Sequence, residues 1–356
     1  MTLLFALWAF AQDGVSLEDK RLATVPEDAA AELVTFSSDG RNVAFAARSK
    51  LHSCLIVGDR AGEGFDKILF PTFSPDGKTV AYGALSGFRY RMVVGDKKGG
   101  EYGGVQRPVF SPDGSRLAFA ARAVKNEKWF VVLDGKSGPE FDAVDVPVFS
   151  PDGKTLGYGA ASGSKVLLLL GEKRIDCEDA VDGPSWSADG KSVGWVASDG
   201  KRWSVFVNER KVDEHEEAAR PVFSRKGERF AYPAREKKQW RIVVGEERGP
   251  LFDFVGTPVF SSDASSLAYA ASKAGRWFVV HQGKPGAEFD AVQGLVFSAD
   301  GKSLAYAARK GAKWRLVVGD EAGEEFDGVW SPAFSSDGRK VAFGTLQGRE
   351  LWWRVK

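Results

Sequence analysis

The sequence contains 356 residues, with 49 Lys plus Arg against 48 Asp plus Glu and no long block of one charge. This length allows two ordinary domains or one large all-β domain, and the charge balance excludes an extended phosphate-binding surface, so nucleic acid is not an expected partner. The 41 Gly, 11 Trp and 25 Phe beside only 2 Met indicate many short, aromatic-rich strands joined by tight turns.

The N-terminal segment is typical of a secretory signal. Nine uninterrupted apolar residues precede Gln12, with a small-x-small pattern at Ala9 and Ala11. We expect residues 1–11 to be a signal peptide and the protein to be periplasmic or secreted, although the usual basic start is missing. The alternative is a frayed tail on a cytoplasmic protein. Nine residues are too few to span a bilayer, and no other segment predicts a transmembrane helix. We assign residues 1–17 to a signal peptide or flexible tail and residues 18–356 to one domain.

One pentad, Phe-Ser-x-Asp-Gly, recurs through the chain with a few substitutions. Seven of the eight spacings are 37 residues and the other is 39, with the extra pair in a loop around Val124 to Glu127. Such regular self-similarity identifies a repeat protein. The nine copies begin at Phe36, Phe73, Phe110, Phe149, Trp186, Phe223, Phe260, Phe297 and Phe334.

Four short β segments are predicted in each copy. The first enters the pentad, the second and third are typified by residues 267–270 and 314–318, and a weaker fourth surrounds residues 325–327. Asp-Gly, Gly-Asp and Lys-Gly pairs between them suit short hairpin turns, and no run has the period of an amphipathic helix. We therefore predict an all-β chain that folds as a single β-propeller of nine four-stranded antiparallel blades. Eight blades are the alternative if one end copy is degenerate.

The second strand explains why the copies stack. The ninth residue after each pentad start is aromatic, as in Phe45 and Tyr82, and the residue before it is always Ala or Gly. Because neighbouring strand residues face opposite sides, each blade has a bulky face and a small face that nest against adjacent blades.

The chain ends predict how the last blade is completed. The last copy supplies only three strands, and residues 21–25 before the first pentad are long enough for one more. If this N-terminal strand completes the last blade, no sheet edge is left open at that junction.

With the pentad located, the sequence resembles the WD-repeat-like propellers of the TolB type. Phe73 to Lys78 reads Phe-Ser-Pro-Asp-Gly-Lys and is followed by Val80-Ala81-Tyr82, and Phe149 to Lys154 repeats the motif. The resemblance covers residues 18 to 356 approximately. It implies the propeller fold, and it leaves the function open because such propellers serve as envelope scaffolds, peptidase accessory domains and lyases.

Residues that suggest chemistry are better explained by structure. The recurring Asp of the pentad is expected to bind its own turn backbone. His52, His215 and His281 lie at different offsets from their pentads, so they do not predict a shared metal site. No Gly-x-Ser-x-Gly, dinucleotide or P-loop motif is present. We predict no catalytic residue, no metal ligand and no cofactor, and we expect the acidic run 213–217 to be a solvated outer edge.

Residues that break the repeat are more informative. In the segment that leads into the first strand of each blade, usually small or apolar positions become Arg107, Arg220 and Trp330. That segment should approach the mouth of the central channel, so we predict these three as partner-binding residues, with local solvation as the alternative. The aromatic residues of strand three, such as Trp240, are expected to pack between blades.

Together these observations predict a monomeric, non-catalytic scaffold that binds a protein or peptide in the cell envelope. The alternative is a lyase or hydrolase with its active site at the channel mouth, which would need a convergent cluster of His, acidic or metal-binding groups there.

Overall fold

The computed structural model describes residues 15–50 and 52–356, and these residues form 40 β-strands without a helix. They divide into two compact units, which are described separately below. One unit contains Arg21–Pro184 with Arg349–Leu351 and carries most of blades one to four. The other contains Ser185–Gly348 with Trp352–Lys356 and the residues up to Lys20.

The N-terminal strand and the strands of blades one to four come first in the chain. The N-terminal strand is β1 (Lys20–Thr24). Blade one consists of β2 (Ala30–Phe36), β3 (Val43–Arg48), β4 (Ser53–Val57) and β5 (Arg60–Phe65). Blade two consists of β6 (Lys67–Phe73), β7 (Val80–Ser86), β8 (Arg89–Val94) and β9 (Lys97–Lys98). Blade three consists of β10 (Gly104–Val105), β11 (Val109–Phe110), β12 (Leu117–Arg122), β13 (Trp129–Leu133) and β14 (Lys136–Ser137). Blade four consists of β15 (Ala143–Val144), β16 (Val148–Phe149), β17 (Leu156–Ser162), β18 (Lys165–Leu170) and β19 (Lys173–Cys177).

Blades five to nine follow the same plan. Blade five consists of β20 (Ala180–Trp186), β21 (Val193–Ser198), β22 (Trp203–Val207) and β23 (Arg210–His215). Blade six consists of β24 (Glu217–Ala218), β25 (Val222–Phe223), β26 (Phe230–Glu236), β27 (Gln239–Val244) and β28 (Glu247–Arg248). Blade seven consists of β29 (Phe254–Val255), β30 (Val259–Phe260), β31 (Leu267–Lys273), β32 (Arg276–His281) and β33 (Lys284–Pro285). Blade eight consists of β34 (Ala291–Phe297), β35 (Leu304–Lys310), β36 (Lys313–Val318) and β37 (Glu321–Ala322), and blade nine of β38 (Gly328–Phe334), β39 (Val341–Gln347) and β40 (Glu350–Val355).

The nine sheets have β-propeller blade topology, so the predicted fold class and the count of nine are confirmed. Each sheet is antiparallel and orders its strands as they occur in the chain, as in β2-β3-β4-β5. In blades three, four, six and seven the first strand is split into two short pieces that pair with the same second strand. The last sheet has the order β1-β40-β39-β38, so the N-terminal strand supplies its missing fourth member, as predicted.

Backbone and side-chain hydrogen bonds hold the N-terminal strand. The Val25 amide donates to the Arg349 carbonyl at 2.7 Å, and the Thr24 amide donates to Asp59 Oδ1 in the turn between β4 and β5 at 2.9 Å. In the other unit, the Val355 amide donates to Asp19 Oδ1 at 2.7 Å. These bonds satisfy amides that an unpaired edge would leave exposed.

The fourth strand differs from its prediction. In blade eight it is the two-residue β37, whereas the predicted segment around Glu325 to Asp327 makes only one β-bridge, between Phe326 and Trp314. Blades two, three, six and seven share this arrangement. Phe326 is buried and packs on Phe343 of the next blade, so this segment makes inter-blade contacts instead of a sheet ladder.

The bulky and small faces pack as predicted. In one core cluster, Tyr82 and Val93 of blade two lie against Ala44 and Ala46 of blade one. In the other unit, Tyr306 of blade eight lies in a cluster with Ala268 of blade seven. All nine strand-two aromatic residues are buried. This burial is the main source of stabilisation between copies.

A Phe-Asp pair near the end of the blade connects blades one, three, six, seven and eight to the blade that follows. Phe252 meets Tyr269 edge-on at 6.3 Å between ring centroids, and the neighbouring Asp253 accepts a 2.7 Å hydrogen bond from the Ala274 amide in the following hairpin. The same bond from a hairpin amide is made to Asp66, Asp142, Asp290 and Asp327. The segment predicted as a strand is thus an inter-blade clasp.

The pentad Asp binds its own turn, as predicted. Ser111 Oγ donates to Asp113 Oδ1 at 2.5 Å, the Ser115 amide donates to the same oxygen at 3.1 Å, and Gly114 has φ +71. The hydroxyl of Ser111 and then that of Ser115 hold the pKa of Asp113 at about 2. Glycine meets the left-handed requirement of this turn at low cost.

Candidate functional site

The first strand of each blade forms what we call the inner edge. First strands of successive blades contact one another, as in β2 with β6 and β11 with β16 in one unit and β30 with β34 and β34 with β38 in the other. Gln106 Nε2 donates to the Val144 carbonyl on the next first strand at 3.2 Å. Residues at equivalent positions on neighbouring first strands therefore lie side by side.

Each inner edge is interrupted by two unpaired residues, which we call the bulge pair. In blade one, Glu32 pairs with Ala46 and Thr35 with Ala44, so the bulge pair Leu33-Val34 lies opposite the single residue Phe45. The second residue of the pair is proline in seven of the nine copies. Proline has no amide hydrogen, so it fits a position that does not join the ladder.

The first residue of the bulge pair is not packed into its blade. Leu33 has φ +53 with 48% of its side chain exposed, and Phe70 has φ +51 with 41% exposed. Large apolar residues rarely adopt positive φ, and such strain is typical of functional positions. The bulge turns these two side chains out of the blade core and into solvent.

Arg107 occupies the same bulge position in blade three. Its side chain is half-buried, and burial lowers the pKa of its guanidinium. Across the described chain it makes no hydrogen bond, ion pair or ring contact. Arg116 in the same blade is different, because its Nε donates to Asp134 Oδ2 at 2.9 Å. No Arg107 nitrogen is among the fully buried atoms without a partner, so its donors reach solvent and are accessible to a bound anionic group.

The other two predicted binding residues lie in the second unit. Arg220 occupies the first bulge position of blade six, between β24 and β25, and is half-buried. Trp330 lies one position before the bulge pair, on β38, where it pairs with Gly344 and its ring covers Gly328. Glycine at 328 leaves room for this ring. The structure therefore gives Arg107 and Arg220 equivalent places in their blades and gives Trp330 a different one.

Sequence reasoning missed Leu33 and Phe70. Both lie three residues before their pentads, as Arg107 does, so their equivalence to Arg107 could be read from the repeat spacing. Their exposure was not evident, because a leucine and a phenylalanine beside a strand are ordinarily core residues. In the unit of blades one to four, the bulge positions place Leu33, Phe70, Arg107 and Val146 in consecutive blades.

A second polar cluster surrounds His215 in blades five and six. His215 is 1% exposed, its Nε2 lies 3.1 Å from Asp213 Oδ2, and the Tyr232 hydroxyl donates to the same oxygen at 2.9 Å. Arg248 bridges Asp213 and Glu236. Burial lowers the pKa of His215 and raises that of Tyr232. These groups satisfy one another, so the cluster is structural, and the prediction that residues 213–217 form a solvated edge is wrong for His215.

His281 breaks the repeat inside the core. It replaces the valine found at this strand-three position in blades two, six and eight, its ring meets Phe297 edge-on at 5.4 Å, and its buried Nε2 has no hydrogen-bond partner. Burial lowers the pKa of His281. His281 therefore binds a proton less readily in the folded chain than in the unfolded chain. The free energy of unfolding falls as the pH drops below about 6.5.

Replacement of His281 by valine should increase the free energy of unfolding by about 1 kcal/mol at neutral pH, because it removes an unsatisfied buried nitrogen. The variant should also lose less stability than the native protein between pH 7.5 and pH 5 in chemical denaturation. His281→Gln serves as the control, since it removes the titration but keeps a polar group. An unchanged pH dependence in both variants would contradict this account.

A surface cavity of about 490 Å³ lies between blades three and four. It is lined in part by Arg116, Lys136, Lys154 and Tyr158. Arg116 is already paired with Asp134, and both lysines are exposed. The cavity lies away from the bulge pairs and offers no desolvated cation, so it is a weaker candidate than the inner edge.

Metal-binding clusters and membrane-spanning helices are both absent from the described residues. Residues 15–50 and 52–356 contain no group of three or more His, Cys, Asp or Glu side chains placed to hold a metal ion. The same residues contain no helix long and apolar enough to cross a bilayer. The predicted signal peptide, residues 1–11, lies outside the described residues.

Comparisons with known proteins are limited to the fold. No family model matches the sequence, and no curated protein matches it. A crystal structure of a eukaryotic initiation factor is similar with a TM-score of 0.54 at 12% identity, covering 86% of this chain and 90% of that one. The Dos1 propeller is similar with a TM-score of 0.51 at 11% identity, covering 96% of each chain.

TolB from Acinetobacter baumannii is also among the similar structures, with a TM-score of 0.33 at 14% identity, covering 70% of this chain and 78% of that one. A match at this level does not assign a family. The β-propeller fold is therefore established, and the TolB-type repeat family stays a prediction from the pentads.

Proposed function

We propose that this protein is a non-catalytic β-propeller scaffold that binds an extended peptide or protein segment along the inner edge of blades one to four. The exposed side chains of Leu33 and Phe70 at positive φ carry this proposal. Neither side chain supports its own blade, and in repeat order Leu33, Phe70 and the half-buried Arg107 follow one another in blades one, two and three. Apolar groups held on a rigid sheet edge next to a charged group are suited to peptide recognition.

The proposal includes the remaining predictions made from the sequence. Residues 18–356 form the binding domain and act as a monomer, Arg220 and Trp330 contribute further partner contacts, and residues 1–11 direct export to the cell envelope. The two Phe-Ser-Pro-Asp-Gly-Lys motifs, each a pentad followed by lysine, support membership in the TolB-type, WD-repeat-like propellers. An enzyme would need convergent acid, base or metal-binding groups at the inner edge, and the first bulge residues of blades one, two and four, Leu33, Phe70 and Val146, are not such groups.

Affinity capture from the envelope fraction of the source cell tests the function. The double variant Leu33→Asn, Phe70→Asn should lose captured partners by about tenfold or more, since each apolar side chain that becomes buried on binding contributes on the order of 1.5–3 kcal/mol. Asparagine tolerates positive φ, so the bulges should keep their backbone. Intact-mass measurement of the envelope protein should give a chain that starts at Gln12.

Phe88→Asn is the matched control. Phe88 is 93% exposed at the tip of the β7–β8 hairpin, in the same blade as Phe70 but away from its bulge pair. It should leave capture unchanged. If the Phe88 variant loses the partners while the double variant keeps them, the binding surface is the hairpin tip and the proposed inner-edge site is wrong.

A further inference from the structure

The charge on the inner edge limits which chemical groups of a ligand can bind there. Among the first bulge residues of the unit that holds blades one to four, only Arg107 is charged, and its neighbours in repeat order are Phe70 and Val146. Its backbone position is well defined. Pro108 fixes the second bulge residue, the Gln106 amide donates to the Ala120 carbonyl at 2.8 Å, and the Gln106 side chain reaches the next blade. The guanidinium is thus presented from a fixed point on a rigid sheet.

Arg107 also contrasts with other inter-blade arginines in the same architecture. Arg116 donates to Asp134 and to the Gly153 carbonyl, and Arg229 donates to the Ala264 carbonyl. These arginines connect neighbouring blades through backbone carbonyls. Arg107 makes no such bond to the described chain, although burial has removed part of its water and lowered its pKa. Its donors are left for a group outside the described residues 15–50 and 52–356.

We propose that Arg107 binds a carboxylate of the peptide ligand, while apolar side chains of the same peptide contact Phe70 and Leu33. This inference rests on the proposed function. A carboxylate matches the planar fork of a guanidinium with two parallel hydrogen bonds and balances its single charge.

A phosphate group is less suitable as the anion. Phosphate carries close to two negative charges and is ordinarily bound by several cations. Arg107 is the only charged residue among the first bulge residues of this unit, so a dianion would keep part of its charge unbalanced. A peptide that carries Asp or Glu near aliphatic or aromatic residues therefore fits this edge best.

The test is a selection of short random peptides against the purified full-length protein, followed by affinity measurements on the selected peptides by fluorescence anisotropy. Selected peptides should be enriched in Asp or Glu at one fixed position beside an apolar residue. Arg107→Gln should weaken their binding by about tenfold or more, and exchange of the acidic peptide residue for its amide should weaken binding to the native protein by a similar factor. The two changes together should cost little more than either alone, because they remove the same contact.

Arg60→Gln is the matched control, because Arg60 is exposed on the outer strand β5 of the same unit. It should leave the affinities unchanged. Since Arg107 has no partner to lose, Arg107→Gln should unfold at the same temperature as the native protein or higher. Reduced binding would then not reflect a damaged fold.

The outcomes separate the two proposals. If selected peptides need Phe70 but show no acidic preference, or bind Arg107→Gln equally well, the carboxylate assignment is overturned and the scaffold function remains. If phosphoserine in place of the acidic residue binds more tightly, the site is a phosphate site and the assignment is also overturned. If no peptide binds the native protein, both proposals fail.

Discussion

Phe252→Ala is expected to lower the free energy of unfolding by about 3–5 kcal/mol. The side chain is 6% exposed and touches two further rings, Tyr269 at 6.3 Å and Phe278 at 5.5 Å between centroids. Removing it leaves a cavity at the junction of blades six and seven that rigid sheets cannot close. Chemical denaturation followed by tryptophan fluorescence measures the change.

The matched control for this prediction is Phe88→Ala. The same atoms are removed from a side chain that is 93% exposed, so the stability should stay within about 0.5 kcal/mol of the native value. A loss below about 1 kcal/mol in the Phe252 variant would show that the clasp phenylalanine is not a main packing residue.

Gly194→Ala is expected to destabilise the protein by about 2–3 kcal/mol. A methyl group at this position of β21 would overlap Pro221 Cγ and would approach Phe223 Cζ to 3.0 Å and Cε2 to 3.2 Å. Both neighbours are rings in the next blade, so neither moves aside without shifting its strand. Thermal unfolding and the denaturation midpoint measure the effect.

Gly256→Ala provides the comparison. Gly256 lies between the two pieces of the first strand of blade seven, in the same unit, and the nearest atoms to an added methyl group are at 3.6 Å, an ordinary contact. This variant should be neutral or slightly more stable, since alanine restricts the unfolded chain. Equal losses in the two glycine variants would mean that close approach of neighbouring blades is not what requires glycine at 194.

The spacing of the repeats predicted the blades because each blade needs the same types of residue at the same positions for its turn and its packing. Most pentads use Ser, Asp and Gly to close their turn, and each second strand needs a large and a small residue side by side. Both requirements recur at one spacing, so the blade count follows directly. The role of β1 was predictable for a similar reason, because the last copy is one strand short.

The short fourth strand and the bulge pairs were not predictable from the repeat pattern. Phe326 looks like a strand residue because it is apolar and lies between polar neighbours, but its side chain packs on Phe343 and its backbone makes a single bridge. Leu33 and Phe70 look like core residues because their apolar character says nothing about φ. Their side chains point outward because two residues of the first strand lie opposite one residue of the second strand at this position.

The candidate site was predicted in part. Arg107 was found because it breaks the repeat, and its lack of a partner required the structure. Trp330 also breaks the repeat, and its ring lies over Gly328 in the same strand. A departure from the repeat therefore identifies a position of interest but does not distinguish a ligand contact from compensation within the strand.

The Phe-Asp clasp gives the array a direction. Asp66 accepts the Gly87 amide of the following hairpin, and Asp290 does the same for Gly311, so in the five copies with this pair the hairpin turn is bonded to the copy that precedes it. Synthesis proceeds from the amino end, so the aspartate leaves the ribosome before the hairpin that it binds. Growth from the amino end thus matches the polarity of these bonds, and a chain assembled in the opposite order would have to wait for its turns to be capped.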